Sequence, residues 1–210
     1  MVAPSDPTAP LLLRAQRAFS VWNRHRKVRT ITAFMAARQV RSVLLVGVAG
    51  AAAWHENVVE DGIAQQAAWS VVSGLSQTTT GPWPRYVACD GLALPFRSGS
   101  FDMVLSNAVI EHVGDEAAQR QLVAEHVRVG RSWVITTPNR AFPVESHTHA
   151  VARHWSASWR ARQSAFTRLL VRRELEALLP PGSRVIGSAW GPTFTALSGH
   201  PAGSDPGGRR

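Results

Sequence analysis

The feature that most constrains the fold is an apolar run, Val43-Leu44-Leu45-Val46, which ends directly in Gly47. Because no polar residue alternates through the run, it is typical of a strand covered on both faces, as in a parallel sheet. Further strands are predicted at 70–73, 86–89, 101–106, 133–137, 185–190 and 193–197, and helices at 11–37, 51–66, 115–128 and 164–179. This alternation predicts an α/β fold, a doubly wound, mostly parallel Rossmann-like sheet with helices on both faces. The last two strands are predicted to form an antiparallel pair.

The first predicted helix, 11–37, has an apolar face and a basic face. The apolar residues are Leu12, Phe19, Val21, Trp22, Val28, Ile31, Phe34 and Met35, and the other face carries Arg14, Arg17, Arg24, Arg26 and Lys27. Such a helix either packs on the edge of the domain or lies on a membrane surface, and we favour the packed helix.

Length and composition indicate one domain. The chain has 210 residues, of which 45% are hydrophobic, and this suffices for one core. We place the domain at 11–198, because 1–10 and 199–210 are rich in Pro, Gly, Ser and Asp and are predicted to be disordered. The single cysteine, Cys89, excludes an internal disulfide framework, and no apolar stretch is long enough to span a membrane. Since no secretory leader is evident, we expect a cytoplasmic protein, whose oligomeric state the sequence does not fix.

The net charge of +9 raises the question of a polyanionic partner. Of the 23 basic residues, 22 are arginines and Lys27 is the sole lysine, which is typical of a coding bias. The arginines are dispersed along the chain instead of forming one stripe. Their distribution therefore argues against nucleic acid as the partner.

Candidate site residues follow the predicted strands, because ligands of open parallel sheets bind beyond the carboxyl ends of the strands. Gly47-Val48-Ala49-Gly50 has small residues that either let the backbone approach a ligand or form a tight structural turn. Asp90, before Gly91 and Leu92, either accepts a hydrogen bond from a bound nucleoside or closes an Asx-turn.

Two further segments carry ionisable side chains. Glu111 and His112 follow the strand that ends at Ser106, and His112 is a candidate general base because histidine titrates near neutral pH. Alternatively, the pair only caps the following helix. His147 and His149 are weaker candidates for a base, and with Glu145 they also suggest a metal site. Because His-x-His alone is unspecific, we expect no metal.

A long pattern covers residues 90–113, Asp-Gly-x-x-Leu-Pro-Phe-x-x-x-Ser-Phe-Asp-x-Val-x-Ser-x-x-Val-x-Glu-His-Val. This pattern and the later Thr-Pro-Asn-Arg segment resemble the class I S-adenosylmethionine-dependent methyltransferases, specifically the group called methyltransferase type 11. The resemblance spans 43–197. It implies S-adenosylmethionine as the cofactor and methyl transfer as the activity.

The resemblance assigns roles to residues at three strand ends. Gly47, Ala49 and Gly50 would form the glycine-rich loop beside the methionine part of the cofactor. Asp90 would accept the adenine amino group, with Gly91 and Leu92 beside the ring. Ser106, Asn107 and Ala108 would line the cofactor near the transferable methyl. Asn107 is followed by Ala-Val, which argues against the methyltransferases that carry an Asn-Pro-Pro-Tyr motif.

The chain lacks two acidic residues that the family pattern contains. Leu45 stands where the acid of the first loop belongs, and Ala49 and Ala51 replace two glycines. The acid after the second strand, which holds the ribose hydroxyls, is replaced by Ser73-Gly74-Leu75. Glu56, Glu60 or Asp61 could substitute from the following helix.

Three functions are consistent with these residues. We favour methyl transfer to a small-molecule, glycan or lipid-precursor acceptor. The missing acids leave open a methyltransferase-fold protein that binds a ligand or partner without catalysis. The charge leaves open an RNA methyltransferase, although the chain has no room for an added RNA-binding domain. The absence of a Gly-Lys-Ser/Thr motif excludes a P-loop ATPase.

Overall fold

The computed structural model describes 11–48, 57–75, 83, 85–144, 151–164 and 166–199, with only the backbone of 11–17. Over this part of the chain the strands are β1 Ser42–Val46, β2 Trp69–Gly74, β3 Tyr86–Ala88, β4 Phe101–Asn107, β5 Gly130–Pro138, β6 Arg184–Ile186 and β7 Thr193–Leu197. The helices are α1 Leu11–Ala37, α2 Val58–Ala64, α3 Glu116–Val129, α4 Ala157–Arg160 and α5 Arg172–Leu178, with a short 3₁₀ helix at Arg153–Trp155. The terminal segments predicted to be disordered lie outside the described residues, apart from Gly199.

The strands form one sheet in the order β3-β2-β1-β4-β5-β7-β6. Strands β1 to β5 run parallel to one another, and β7 runs antiparallel to both β5 and β6. The doubly wound α/β prediction and its antiparallel C-terminal pair are confirmed. The strand order reverses between β1 and β4, which is where a ligand binds in such sheets.

Helices cover both faces of the sheet, as the apolar strands require. Ile31 of α1 and Ile63 of α2 pack on one face against alternate residues of β1 and β4 such as Leu45 and Leu105. On the other face, α3 and α5 pack against β5 and β7. All five residues of β1 are buried, which confirms the reading of the apolar run. Within the described ranges no helix is long and apolar enough to cross a bilayer.

The inner face of α1 differs from the predicted one. The buried positions are Asn23, Lys27, Ile31 and Met35, spaced four residues apart, whereas Phe19 and Trp22 are 41% and 50% exposed. Placing Lys27 on the basic face, opposite the buried one, was therefore wrong. Polar side chains are buried here because they find partners: Lys27 bonds to Asn107, and Nδ2 of Asn23 donates to Oγ1 of Thr193 at 3.3 Å.

The predicted helix 164–179 is wrong over its first half, since α5 begins only at Arg172. The preceding segment is tied down by long-range contacts. The N–H groups of Thr167 and Arg168 donate to the Glu111 carbonyl, and Leu170 forms a bridge with Asn139. These contacts compete with helical hydrogen bonds and keep the segment irregular.

The ends of two other elements also differ from their predicted positions. The strand predicted at 185–190 ends at Ile186, because Gly187 has a φ of +124° and a turn follows it. Of the predicted helix 51–66, 58–64 is helical as α2, Gln65 and Gln66 lie in a turn, and 51–56 lie outside the described residues. Helix α3 matches its prediction to within one residue, with Asp115 as its N-cap.

Candidate functional site

The turn after β1 has room only for glycine. Gly47 has a φ of +75°, and a Cβ atom there would lie 2.6 Å from Cγ2 of Val109. The N–H groups of Gly47 and Val48 donate to the Ser73 carbonyl at 2.9 and 3.0 Å. The turn is thus held by β2 and packs on the loop after β4. Ala49 and Gly50 lie outside the described residues.

The end of β4 carries the three residues that the family pattern places near the methyl group. Ser106 is fully buried, and its Oγ has no hydrogen-bond partner among the described residues. Ala108 has a φ of +56°, and its N–H donates to the Thr136 carbonyl at 2.9 Å. A non-glycine residue in the left-handed region is strained, and such strain clusters at functional sites.

Asn107 is the centre of a polar network that joins both helices of its face. Nζ of Lys27 donates to Oδ1 of Asn107 at 2.6 Å, and Nδ2 of Asn107 donates to Oε1 of Glu60 at 2.9 Å. Oγ1 of Thr136 also donates to Oδ1 of Asn107, at 2.6 Å. The network therefore gathers α1, α2, β4 and β5 at the carboxyl edge of the sheet.

Burial shifts the proton affinities of both ionisable groups in this network. Burial lowers the pKa of Lys27 to about 8, although the nearby Glu60 partly offsets the shift. Burial also raises the pKa of Glu60 above its usual value, against the opposing effect of the Asn107 hydrogen bond. The structure thus holds a cation and a carboxyl group in a low-dielectric site, bridged by one amide.

The segment after β3 is anchored from α3. Oδ1 of Asp90 accepts from the Leu92 N–H at 2.9 Å, which is the Asx-turn alternative for this residue. A Cβ on Gly91 would lie 3.1 Å from Cγ1 of Val46, so this segment packs closely over the end of β1. Glu125, paired with Arg128, accepts from the Leu94 N–H at 2.7 Å. Asp90 itself remains exposed and accessible to a ligand.

Glu111 and His112 lie together in the loop after β4. Glu111 is fully buried, and its Oε2 accepts from Oγ1 of Thr137 at 3.0 Å. Nε2 of His112 lies 3.9 Å from Oε1 of Glu111, and the His112 side chain is 39% exposed. Neither residue caps α3, because Asp115 does so by accepting from the Ala118 N–H.

The remaining ionisable candidates lie outside the residues that the structure describes. Glu145, His147 and His149 lie in the range 145–150, which the structure does not describe. Among the described residues, no group of three His, Cys, Asp or Glu side chains is placed to hold a metal ion.

An apolar recess opens beyond the end of β5. It has a volume of about 360 Å³ and is lined by Arg140, Ala141, Trp155, Val171 and Trp190. Nε1 of Trp155 donates to the Arg140 carbonyl at 3.1 Å. Nδ2 of Asn139 donates to the carbonyls of Ala189 and Gly191 on either side of Trp190, both at 2.8 Å. The Trp155 indole and the backbone on either side of Trp190 are thus fixed to residues that follow β5.

Several of these residues were not predicted from the sequence. Ser73 was noted only because it stands near the position of the family's ribose-binding acid, and Lys27 was placed on the basic face of the first helix. The signal for Lys27 was its spacing: Asn23, Lys27, Ile31 and Met35 lie on one helical stripe with two aliphatic members. Trp190 was placed in a strand, and only the structure shows it at the tip of a turn.

Comparison with known proteins agrees with this architecture. Residues 58–133 match the model of a family described as a methyltransferase domain. This match runs from α2 into β5 and covers 76 of the 210 residues. No curated protein matches its sequence significantly.

Solved structures of several methyltransferases share the fold of this chain at low sequence identity. A S-adenosylmethionine-dependent methyltransferase from Archaeoglobus fulgidus is 13% identical, with a TM-score of 0.51 over 81% of this chain and 93% of its own. Magnesium protoporphyrin IX methyltransferase from Synechocystis PCC 6803, solved with bound S-adenosylhomocysteine, is 10% identical, with a TM-score of 0.54 over 92% and 89%. The N-methyltransferase NodS from Bradyrhizobium japonicum WM9 is 14% identical, with a TM-score of 0.53 over 83% and 85%.

The strand ends meet some of the expectations drawn from the family pattern and depart from others. The Gly47 turn and the strained end of β4 provide a place where the backbone can approach a ligand closely. Leu45, at the position of the missing acid, is fully buried in the core beneath α1 and α2. At the end of β2, a Cβ on Gly74 would come 2.9 Å from the Tyr86 hydroxyl, so the ribose acid is replaced by tight packing there.

Proposed function

We propose that the chain transfers a methyl group from S-adenosylmethionine to a small-molecule acceptor that binds beyond the carboxyl end of β5. The observation that carries this proposal is the recess lined by Trp155 and Trp190. Its volume of about 360 Å³ lies within the range of small-ligand sites, which is about 300–1,000 Å³. The recess follows β5, and β5 is hydrogen-bonded to β4, which carries Asn107. An acceptor seated there would lie beside the cofactor end of the sheet.

The cofactor is assigned to the neighbouring strand ends. Gly47 would lie beside its methionine part, and Ser106, Asn107 and Ala108 would line the region of the transferable methyl. Asp90, Gly91 and Leu92 would contact the adenine. The Asx-turn supports this assignment, because it fixes the Asp90 carboxylate at the edge of the sheet while leaving it exposed.

The walls of the recess indicate the kind of acceptor. Two indole rings present flat apolar surfaces, and the guanidinium of Arg140 is already paired with Glu174 at 2.9 Å. Such walls suit an acceptor with a flat or apolar part. Among the structural neighbours, one enzyme is named for magnesium protoporphyrin IX, a flat acceptor.

A proton acceptor is proposed at His112. Bound S-adenosylmethionine supplies an activated methyl group on a sulfonium, so the protein mainly aligns the acceptor and excludes water. As the acceptor atom bonds to the methyl carbon, the carbon–sulfur bond breaks and its electron pair stays on sulfur. The proton of a hydroxyl acceptor passes to the imidazole of His112. The Glu111 carboxylate, 3.9 Å from Nε2, stabilises the positive charge that results.

Part of the basic charge of the protein is paired within the fold, which favours a small acceptor over RNA. Among the described residues, six arginines form ion pairs with carboxylates: Arg120, Arg128, Arg131, Arg140, Arg168 and Arg172. Paired arginines contribute less to an attractive field for a polyanion than free ones do.

A screen for release of S-adenosylhomocysteine tests the proposed function. The purified chain is incubated with S-adenosylmethionine and candidate acceptors, with total RNA as a separate arm. Turnover with a flat or apolar metabolite and none with RNA is the expected result. Turnover with RNA alone would contradict the proposal.

A further inference from the structure

Lys27 and Glu60 place opposite charges on either side of Asn107, at the end of β4. Lys27 contributes Nζ from α1, and Glu60 contributes Oε1 from α2, each within hydrogen-bond distance of the Asn107 amide. Asn107 is partly exposed, whereas the two ionisable side chains are only 8% and 6% exposed. The pair therefore lies just beneath the edge where the cofactor is assigned.

Only one of the two oxygens of the Glu60 carboxylate has a hydrogen-bond partner among the described residues. Oε1 accepts from Asn107, but Oε2 is buried and has no hydrogen-bond partner among the described residues. Buried polar atoms almost always have a partner, so a buried carboxylate oxygen without one requires an explanation. A cationic donor supplied by a ligand would satisfy it.

Glu60 lies on the same face of the sheet as the acid that the family pattern places in the first loop. The acid of the first loop would stand at Leu45, which pairs with Leu105 across β1 and β4. Both leucines lie on the face covered by α1 and α2, the face that Asn107 also occupies. A carboxylate is thus present on the expected face near the strand ends, but α2 supplies it in place of β1.

We propose that Glu60 and Lys27 form the subsite for the amino-acid end of the cofactor. Glu60 Oε2 accepts a hydrogen bond from the α-ammonium group, and Lys27 balances the charge of the α-carboxylate. The sequence offered Glu60 as one substitute for the ribose acid. Its bond to Asn107, which is assigned to the methyl end of the cofactor, favours the amino-acid end instead. This inference rests on the proposed placement of the cofactor.

Two ligands that differ only at the amino-acid end separate these roles. S-Adenosylhomocysteine carries that end, whereas 5′-methylthioadenosine has the same adenosine and thioether without it. Binding of both is measured by calorimetry to the full chain and to Glu60→Gln, which keeps the side-chain shape. The expected result is a loss of about 10- to 100-fold in S-adenosylhomocysteine affinity, with the 5′-methylthioadenosine affinity changed less than about twofold.

Further variants control for folding. Glu176→Gln removes a carboxylate on α5 that pairs with Arg172 and takes no part in the network, and it should change neither affinity. If Glu60→Gln does not fold, Lys27→Met carries the same test, since it should also weaken only S-adenosylhomocysteine. Equal losses for both ligands would overturn the inference, because a ribose contact or a purely structural role affects both. If the wild-type chain binds neither ligand, the cofactor placement fails first.

Discussion

Nε2 of the exposed His112 lies 3.9 Å from Oε1 of the buried Glu111. Glu111 is fixed by Thr137 and by two backbone N–H groups that donate to its carbonyl, so it can orient the imidazole without moving itself. This arrangement is typical of a base held by a second residue.

Replacing His112 with alanine should therefore lower turnover with a hydroxyl acceptor by about 10²–10⁴-fold. The affinity for S-adenosylhomocysteine should stay within about twofold, because the imidazole is assigned to the acceptor. Steady-state kinetics and calorimetry on the same preparations measure both quantities. A parallel fall of turnover and melting temperature would instead indicate that His112 only supports the loop.

The Trp190→Ala variant tests the recess. The Trp190 side chain is 74% exposed, so its removal should leave the melting temperature nearly unchanged. The KM for the acceptor should rise about tenfold, with no change in cofactor affinity. Trp69→Ala is a matched control, because Trp69 is 41% exposed at the start of β2 and away from the recess. Equal effects of the two substitutions on KM would argue against the recess as the acceptor site.

Asp90→Ala should weaken S-adenosylhomocysteine binding by about 1–3 kcal/mol, the cost of leaving a buried donor of the ligand without a partner. The comparison variant is Asp115→Ala, which removes the N-cap of α3 and should cost about 0.5–2 kcal/mol of stability. Calorimetry and thermal melts should show an affinity loss for the first variant and a stability loss for the second. The reverse pattern would mean that Asp90 acts only in its turn.

His126 should make the fold sensitive to acid. Burial lowers the pKa of this fully buried histidine to about 4, from a reference value of 6.5. Between these values the unfolded chain binds a proton that the folded chain does not. The free energy of unfolding therefore falls as the pH drops, by at most about 1.4 kcal/mol per pH unit from this residue. Below about pH 4 the loss is complete.

Denaturant unfolding between pH 7 and pH 4 measures this dependence. His126→Leu should flatten the curve across this interval. An unchanged slope in His126→Leu would assign the acid sensitivity to other groups.

The sequence predicted the sheet well, because fully covered strands require apolar residues at successive positions. Strand β7 matches its predicted bounds, and α3 is one residue from its prediction. The errors arose where long-range contacts compete with local pattern. Leu170 pairs with Asn139 in place of continuing a helix, and Lys27 turns inward because Asn107 accepts its hydrogen bond. Neither partner is close in sequence.

For the site, the strand-end rule located Gly47, Ser106 and Asn107 at one edge of the sheet. It could not show which side chains from α1 and α2 reach that edge. Glu60 was one of three acids considered on the following helix, and only the fold identifies its bond to Asn107. The recess also depends on a turn and a 3₁₀ helix whose positions no local pattern predicts.

The most direct test of the account is calorimetric titration of the wild-type chain with S-adenosylmethionine and S-adenosylhomocysteine. Both ligands are expected to bind saturably, with one site per chain and a Kd below about 1 mM, that is, a binding free energy stronger than about −4 kcal/mol. The same preparation should show a cooperative thermal melt that shifts upward with ligand, since a ligand that binds only the folded state stabilises it. A folded chain that binds neither compound would contradict the account.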